Sequence, residues 1–321
     1  MRDAYVIPEV AVTVAVMLDG VMIHMQTSTR KELKERARRE GRKIAGPVGY
    51  KEASVAALAF YDVNGHRVLT SRFGRMPEPD KSTLKQILRS ELEQVRRLRP
   101  ELLVVAISDG APNNWSFLES LNPDLQIVDF YHTVEHLSRR LDRALGAGSK
   151  ANQRVLRAMR HVLLTDPQGH VTVFRVLEQI ERRHGTWKKR RKTGRGTQPT
   201  YYERHPGRLA YCQHLARRLL IGSGVIEGTC RHVLIDRLRG TGMRWSDPGG
   251  QAILTFRALL INDQFNEAWS TLMRLETKDR QTAQHSVQSR MERRAAARSD
   301  SAPHPPLSDG ARSAMRNGLL A

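Results

Sequence analysis

Three carboxylates stand where a folded chain seldom leaves one unpartnered. Asp19 interrupts a valine-rich run from Val10 to Met25, and Asp109 closes the apolar stretch Leu102 to Ser108, just before Gly110. Glu227 lies one turn into a helical pattern, on the same stripe as Cys230, Leu234 and Leu238. An unpaired buried carboxylate is costly, so acids at such positions call for something more positive. Two Mg²⁺ ions, or Mn²⁺ in their place, meet that need: these cations take hard oxygen ligands, often a few carboxylates completed by phosphate oxygens. Two ions about 3.5–4 Å apart activate an attacking oxygen and stabilise a leaving one in phosphoryl transfer. Each residue also has a plain structural alternative. Asp19-Gly20 reads as a hairpin turn, Asp109-Gly110 as an ordinary turn after a strand, and Glu227 as the partner of Arg231 in a surface pair.

The composition says what such a site would act on. The chain has 321 residues, with 53 Lys and Arg against 33 Asp and Glu, a formal charge of +20. A body this cationic implies a polyanionic partner, most simply nucleic acid held through its phosphates. A membrane surface is the competing polyanion, but no apolar run is long enough to span and no signal peptide is visible. Cys212 and Cys230 form no CxxC pair, which excludes a zinc module or a disulfide framework and fits a reducing cytoplasm. The densest basic run, Arg182 to Arg195, contains Trp187 beside Lys188, Lys189, Arg190 and Arg191. It reads as a surface that tracks a nucleic-acid backbone while the indole stacks on a base. Thr27 to Lys43 is a second basic stretch, and the glycine-rich Arg237 to Trp245 suits a loop that grips phosphate.

The elements that must position the acids follow from pattern. Val10 to Met25 reads as a central strand. Tyr50 to Asp62 and His66 to Phe73 flank Asn64-Gly65 as an antiparallel hairpin. Asp80 to Leu98 has helical spacing and stops at Pro100. The strand ending at Asp109 reads as covered on both faces. A short helix opened by Pro112, a strand from Leu125 to Phe130 and a helix from His132 to Leu145 come next. This order predicts an α/β fold, a mixed sheet with helices on its faces. The stretch after Gly146 and Gly148 carries helical spacing only. The division is a first part of the core at 1–145, a helical insertion at 146–221, a last part of the core with the Glu227 helix at 222–277, and a tail at 278–321. The tail, rich in proline and polar residues towards its end, reads as disordered.

The segments VAVMLDGVMI, VVAISDGAPNNW, IVDFYHTVEHL and IGSGVIEGTCRHVLIDRLRGTGMRWSDPGGQAIL resemble the catalytic domain of bacterial insertion-sequence transposases. These are the DDE enzymes of the ISKra group, akin to the ISLre and Mutator-like groups. The resemblance covers roughly residues 10 to 270. It implies a ribonuclease-H-like fold, with Asp19, Asp109 and Glu227 as the three catalytic, metal-holding acids and the last of them following an all-helical insertion. Asp129 and His132 match an Asp-x-x-His element that organises the site or its DNA. Arg244 and Trp245 match an Arg-Trp pair, either a DNA contact or a packed core indole. The resemblance further implies double-stranded DNA as partner, at transposon ends and target, and a homo-oligomer on paired ends in the bacterial cytoplasm. Relatives usually carry a DNA-binding region ahead of the first catalytic strand, whereas here that strand starts near Met1. This departure leaves open a non-catalytic DNA-binding remnant, and a ribonuclease-H-like nuclease is the further alternative.

Overall fold

The computed structural model describes residues 6–26, 30–41, 49–186 and 205–299. Residues up to Asp263 form one compact unit, and a second begins at Gln264. The first unit is α/β, a five-stranded mixed sheet flanked by helices. Its strands are β1 (Thr13–His24), β2 (Tyr50–Tyr61), β3 (Arg67–Arg75), β4 (Leu103–Ser108) and β5 (Leu125–Val128), in the order β3-β2-β1-β4-β5. β1 pairs antiparallel with β2 and β2 with β3, whereas β1–β4 and β4–β5 are parallel. The central position of β1 explains its valine-rich first half, which is buried throughout from Thr13 to Leu18.

The hairpin forms around Asn64-Gly65 as the sequence predicts. Asp62 accepts the backbone N–H groups of Asn64 and His66 at 2.9 and 2.8 Å, and Gly65 takes the positive φ (81°) that the turn requires. Asp19-Gly20 is no hairpin. β1 runs straight through it, pairing Asp19 with Val55 and Gly20 with Ser54.

The helices of the first half are α1 (Arg30–Arg39), α2 (Ser82–Leu98), α3 (Pro112–Ser120) and α4 (Phe130–Leu145). α2 buries Leu84, Leu88, Leu92 and Val95, the stripe that its spacing predicts. Among the described residues between α4 and Ser223 there are helices and no strand. These include α5 (Lys150–Thr165), α6 (Gly169–Arg183) and α7 (Tyr211–Ala216). Arg140 of α4 and Glu181 of α6 are both buried and joined by two hydrogen bonds of 2.8 Å.

The helix carrying Glu227 is interrupted. α8 (Gly224–Thr229) passes into a π-helical turn, Cys230–Ile235, and closes as α9 (Asp236–Leu238). Such wide turns are rare and tend to occur at functional sites. α10 (Asp247–Ile261) then covers the free edge of β3. Asn262, just past its end, accepts from Arg72 N (2.9 Å) and donates to Arg72 O (2.8 Å), while Gln251 does the same for Met76 N (3.0 Å) and Gly74 O (3.2 Å). Two amide side chains thus stand in for a sixth strand and satisfy an edge that would otherwise invite pairing.

In the second unit, α11 (Phe265–Ser299) is one helix of 35 residues. This corrects the expectation of disorder from residue 278, at least as far as Ser299. The segment lacks an apolar stripe, but Ala, Arg, Glu, Gln and Met favour helix by intrinsic propensity alone. No helix among the described residues is long and apolar enough to cross a membrane.

Candidate functional site

The site assembles where the parallel pairing of the central strands ends. The parallel register of β1 and β4 ends at Met17 opposite Ile107. Asp19 and Asp109 each follow two residues later, so the parallel pairing delivers the two carboxylates to neighbouring positions. Asp19 Oδ1 accepts the N–H of Gly20 at 2.7 Å. Its carboxyl is pushed above the ordinary range, chiefly by burial and further by the charge of Asp109, while Gly20, Cys230 and the Lys81 charge act the other way. Asp109 Oδ1 accepts from Ala111 N (3.0 Å) and Ser108 Oγ (3.2 Å), and Gly110 (φ 99°) makes the turn. Pro112 then opens α3.

Glu227 reaches the same region from α8. Its helix sets the Cys230 thiol 3.6 Å from Asp19 Oδ2, and burial, then Asp19, and also Glu227 push that thiol up. The expected Glu227–Arg231 surface pair is not formed: Arg231 faces Asp236 at 3.9 Å. Glu227 itself is exposed, although Cys230, Leu234 and Leu238 on its stripe are buried.

Asp129 and His132 complete the centre. Asp129 follows β5, is fully buried and caps α4. Its Oδ1 accepts His132 N (2.7 Å) and faces His132 Nδ1 at 3.2 Å, and its Oδ2 accepts the N–H of Ser223. Burial raises the Asp129 carboxyl, but the bonds from His132 and Ser223 together hold it below the ordinary range. His132 is pushed up to about 9, first by its bond to Asp129 against the effect of burial, then by the charges of Asp129, Asp109 and Glu227. At neutral pH it is an imidazolium whose Nδ1 donates to Asp129.

Asp129, His132 and Glu227 offer ligand atoms that all lie within 4.8 Å of one another, the one such group among the described residues. Asp19, Asp109 and Glu227 do not themselves reach that closeness, and what joins them is electrostatic. Both oxygens of Asp129 already accept hydrogen bonds, so this residue orients His132 and the Ser223 loop. Asp19, Asp109 and Glu227 offer hard carboxylate oxygens of the kind a divalent cation takes.

Other sequence candidates fall elsewhere. Trp245 is a packed indole: Nε1 donates to Leu238 O at 3.1 Å, and its backbone bonds to His24 O (3.0 Å) and Gln26 N (2.7 Å) at the end of β1. Arg244 beside it is exposed. Trp187, Lys188, Lys189, Arg190 and Arg191 lie outside the described residues.

Lys81, Asn114 and Ser223 also take part, the last of them the N-cap that the sequence suggests. Lys81, which donates to Glu52 (3.0 Å) and Asn114 (3.4 Å), brings a positive charge to bear on Asp19 from a left-handed backbone (φ 54°). Asn114 donates to Leu18 O at 3.4 Å, and Ser223 acts through its amide.

The fold and site together define an α/β protein with an acidic centre where the parallel pairing of β1 and β4 ends, in a strongly cationic chain. Compared with known proteins, the chain matches no family model and no curated protein.

Proposed function

We propose that this chain is the catalytic part of an Mg²⁺-dependent DDE transposase with a ribonuclease-H-like fold, cleaving DNA at insertion-sequence ends and joining it to target DNA. The observation that carries the reading is the adjacency of Asp19 and Asp109, each two residues past the last registered pair of the parallel neighbours β1 and β4. The strand order β3-β2-β1-β4-β5 is compatible with the fold, and the presence of helices without a strand among the described residues between α4 and Ser223 supports an insertion ahead of the third acid.

The donor set fits the ion. Asp19, Asp109 and Glu227 are hard carboxylates, and a divalent cation would offset the burial and the Asp109 charge that together raise Asp19. Bound magnesium supplies Lewis acidity at the phosphate and favours a deprotonated attacking oxygen. The chain's own groups do the rest. Asp129 fixes the His132 ring, so that an imidazolium stands beside Asp109 and Glu227 and can donate to a phosphate oxygen or to Glu227. Ser223 N anchors Asp129 from the start of the Glu227 helix, which couples the third acid to His132. The surplus of basic residues draws DNA in through its phosphates, and a homo-oligomer would hold two ends together.

The test uses the purified chain with Mg²⁺ or Mn²⁺ and DNA carrying the sequences that flank its reading frame. Metal-dependent nicking and strand transfer are expected, and Asp19→Ala, Asp109→Ala and Glu227→Ala should each abolish them. Full activity in Asp109→Ala would refute the assignment.

A further inference from the structure

Tyr131 stands in the chain between Asp129 and His132, yet its side chain is 62 % exposed. Its neighbours are tightly held. Phe130 N donates to Ile221 O, Asp129 caps the helix and anchors Ser223, and Thr133 Oγ1 bonds to Asp129 O and Tyr211 Oη. A large aromatic left in solvent at so fixed a turn contributes little to the core.

Its ring is nonetheless braced. Gly222 approaches so closely that a Cβ there would meet ring atoms Cε2 at 2.9 Å and Cδ2 at 3.2 Å. The Phe130 ring stands against it nearly at right angles, 77°, with centroids 5.6 Å apart. The ring is therefore braced by Gly222 and Phe130 yet largely exposed, and the Cβ position of Gly222 that meets the ring also lies 3.8 Å from Asp129 Oδ2.

We propose that Tyr131 is a stacking platform for a nucleobase of the strand whose phosphate enters the acidic centre. The inference rests on the nucleic-acid reading above and adds to it a base-contacting residue. Among partners with a flat apolar face, a nucleobase is the one that arrives attached to the phosphate such a centre binds, and the charge of +20 selects for it. Stacking is tolerant of sequence, because every base has a π-face. Tyr131 should thus add affinity without adding sequence preference.

The experiment measures binding of a short fluorescein-labelled single-stranded oligonucleotide to the full chain in EDTA, where no cutting occurs. Tyr131→Ala should weaken binding on the order of tenfold. Tyr131→Phe and Tyr131→Trp should restore it, whereas Tyr131→Leu, of comparable bulk but without a π-face, should not. The slope of affinity against salt should stay unchanged, because no phosphate contact is lost. Equal binding by Tyr131→Ala, or full binding by Tyr131→Leu, would overturn the proposal, as would a loss in Tyr131→Phe that comes with a shallower salt slope. The two readings fail separately. A wild-type chain that shows this Tyr131 dependence but never cuts with Mn²⁺ retires the transposase reading alone. A chain that cuts while Tyr131→Ala binds as well as wild type retires the stacking reading alone.

Discussion

Asp19 and Asp109 occupy equivalent places on neighbouring parallel strands, each two residues beyond the registered pair Met17–Ile107. Burial and the charge of Asp109 raise the Asp19 carboxyl above its ordinary value of 3.8. A group with a raised folded-state pKa contributes stability that is fully present below the unfolded value and is lost as pH rises through the folded one. At neutral pH the ionised pair is therefore a cost to the fold. Asp109→Asn and Asp19→Asn should each stabilise the metal-free chain, by roughly 0.5–2 kcal/mol, the range typical of relieving such a site, while abolishing its chemistry. Urea denaturation in EDTA measures the gain, which should shrink towards acid pH as Asp19 protonates. Destabilisation in both variants would show that the two carboxylates do not oppose each other.

If the same acids hold divalent cations, Mn²⁺ must stabilise the wild-type fold by mass action. The gain is about 2.7 kcal/mol when free ion exceeds its dissociation constant a hundredfold. Thermal melts with and without Mn²⁺ should show a rise in Tm for wild type that is largely lost in Asp109→Asn. It should persist in Asp236→Asn, whose carboxylate pairs with His232 and Arg231 away from the acidic centre. An equal rise in wild type and Asp109→Asn would place the ion elsewhere.

His132 and Asp129 set opposite ends of a pH window. His132 rises from 6.5 to about 9 through its bond to Asp129, so its contribution is whole below 6.5 and is lost as pH climbs through about 9. Asp129 is lowered from 3.8, so its contribution is present above that value and is lost only as pH falls through the lower folded one. The pair supports the fold fully between those two ordinary values, 3.8 and 6.5, and the share of His132 falls above that. His132→Gln should flatten the alkaline fall in stability and leave the acid limb in place. An NMR titration of the His132 ring gives the direct check, and a midpoint near the ordinary 6.5 would contradict the ion pair.

What could be read in advance depended on whether the signal was local. Asp109 was legible because a doubly covered strand leaves a continuous apolar run that the carboxylate visibly ends. Asp19 was ambiguous, because Asp-Gly has the same local chemistry in a hairpin and in a strand. What decides is the pairing of β1 with β2, and there the Glu52 side chain lies across Gly20, in the space a Cβ would take. The Asn64-Gly65 hairpin and the α2 stripe were likewise local and are present. The π-helical turn after Thr229 has no composition of its own, so a regular helix was the natural expectation. Trp245 could be assigned to packing only once Leu238 O and His24 O were seen beside it. The helix from residue 278 to Ser299 was missed because apolar periodicity reports burial, and an exposed helix has none to report.

The buried pair Arg140–Glu181 offers a test of how the helices after β5 are held. The side chains are only 4 % and 6 % exposed and meet through two bonds of 2.8 Å, tying α4, which begins at the site, to α6. Desolvating both charges consumes most of what their attraction returns, so the intact pair adds little net stability. Removing one partner is a different matter, because the charge left behind stays buried with this ion pair broken. Glu181→Leu should cost about 3–5 kcal/mol, and Arg140→Leu a comparable amount. The double variant, with both charges gone and apolar volume in their place, should recover most of the loss. The cycle therefore predicts a coupling energy far larger than the destabilisation of the double variant. Denaturation of the four proteins measures it. Additive losses would mean that each side chain is held by other partners and that the pair is not what joins α4 to α6.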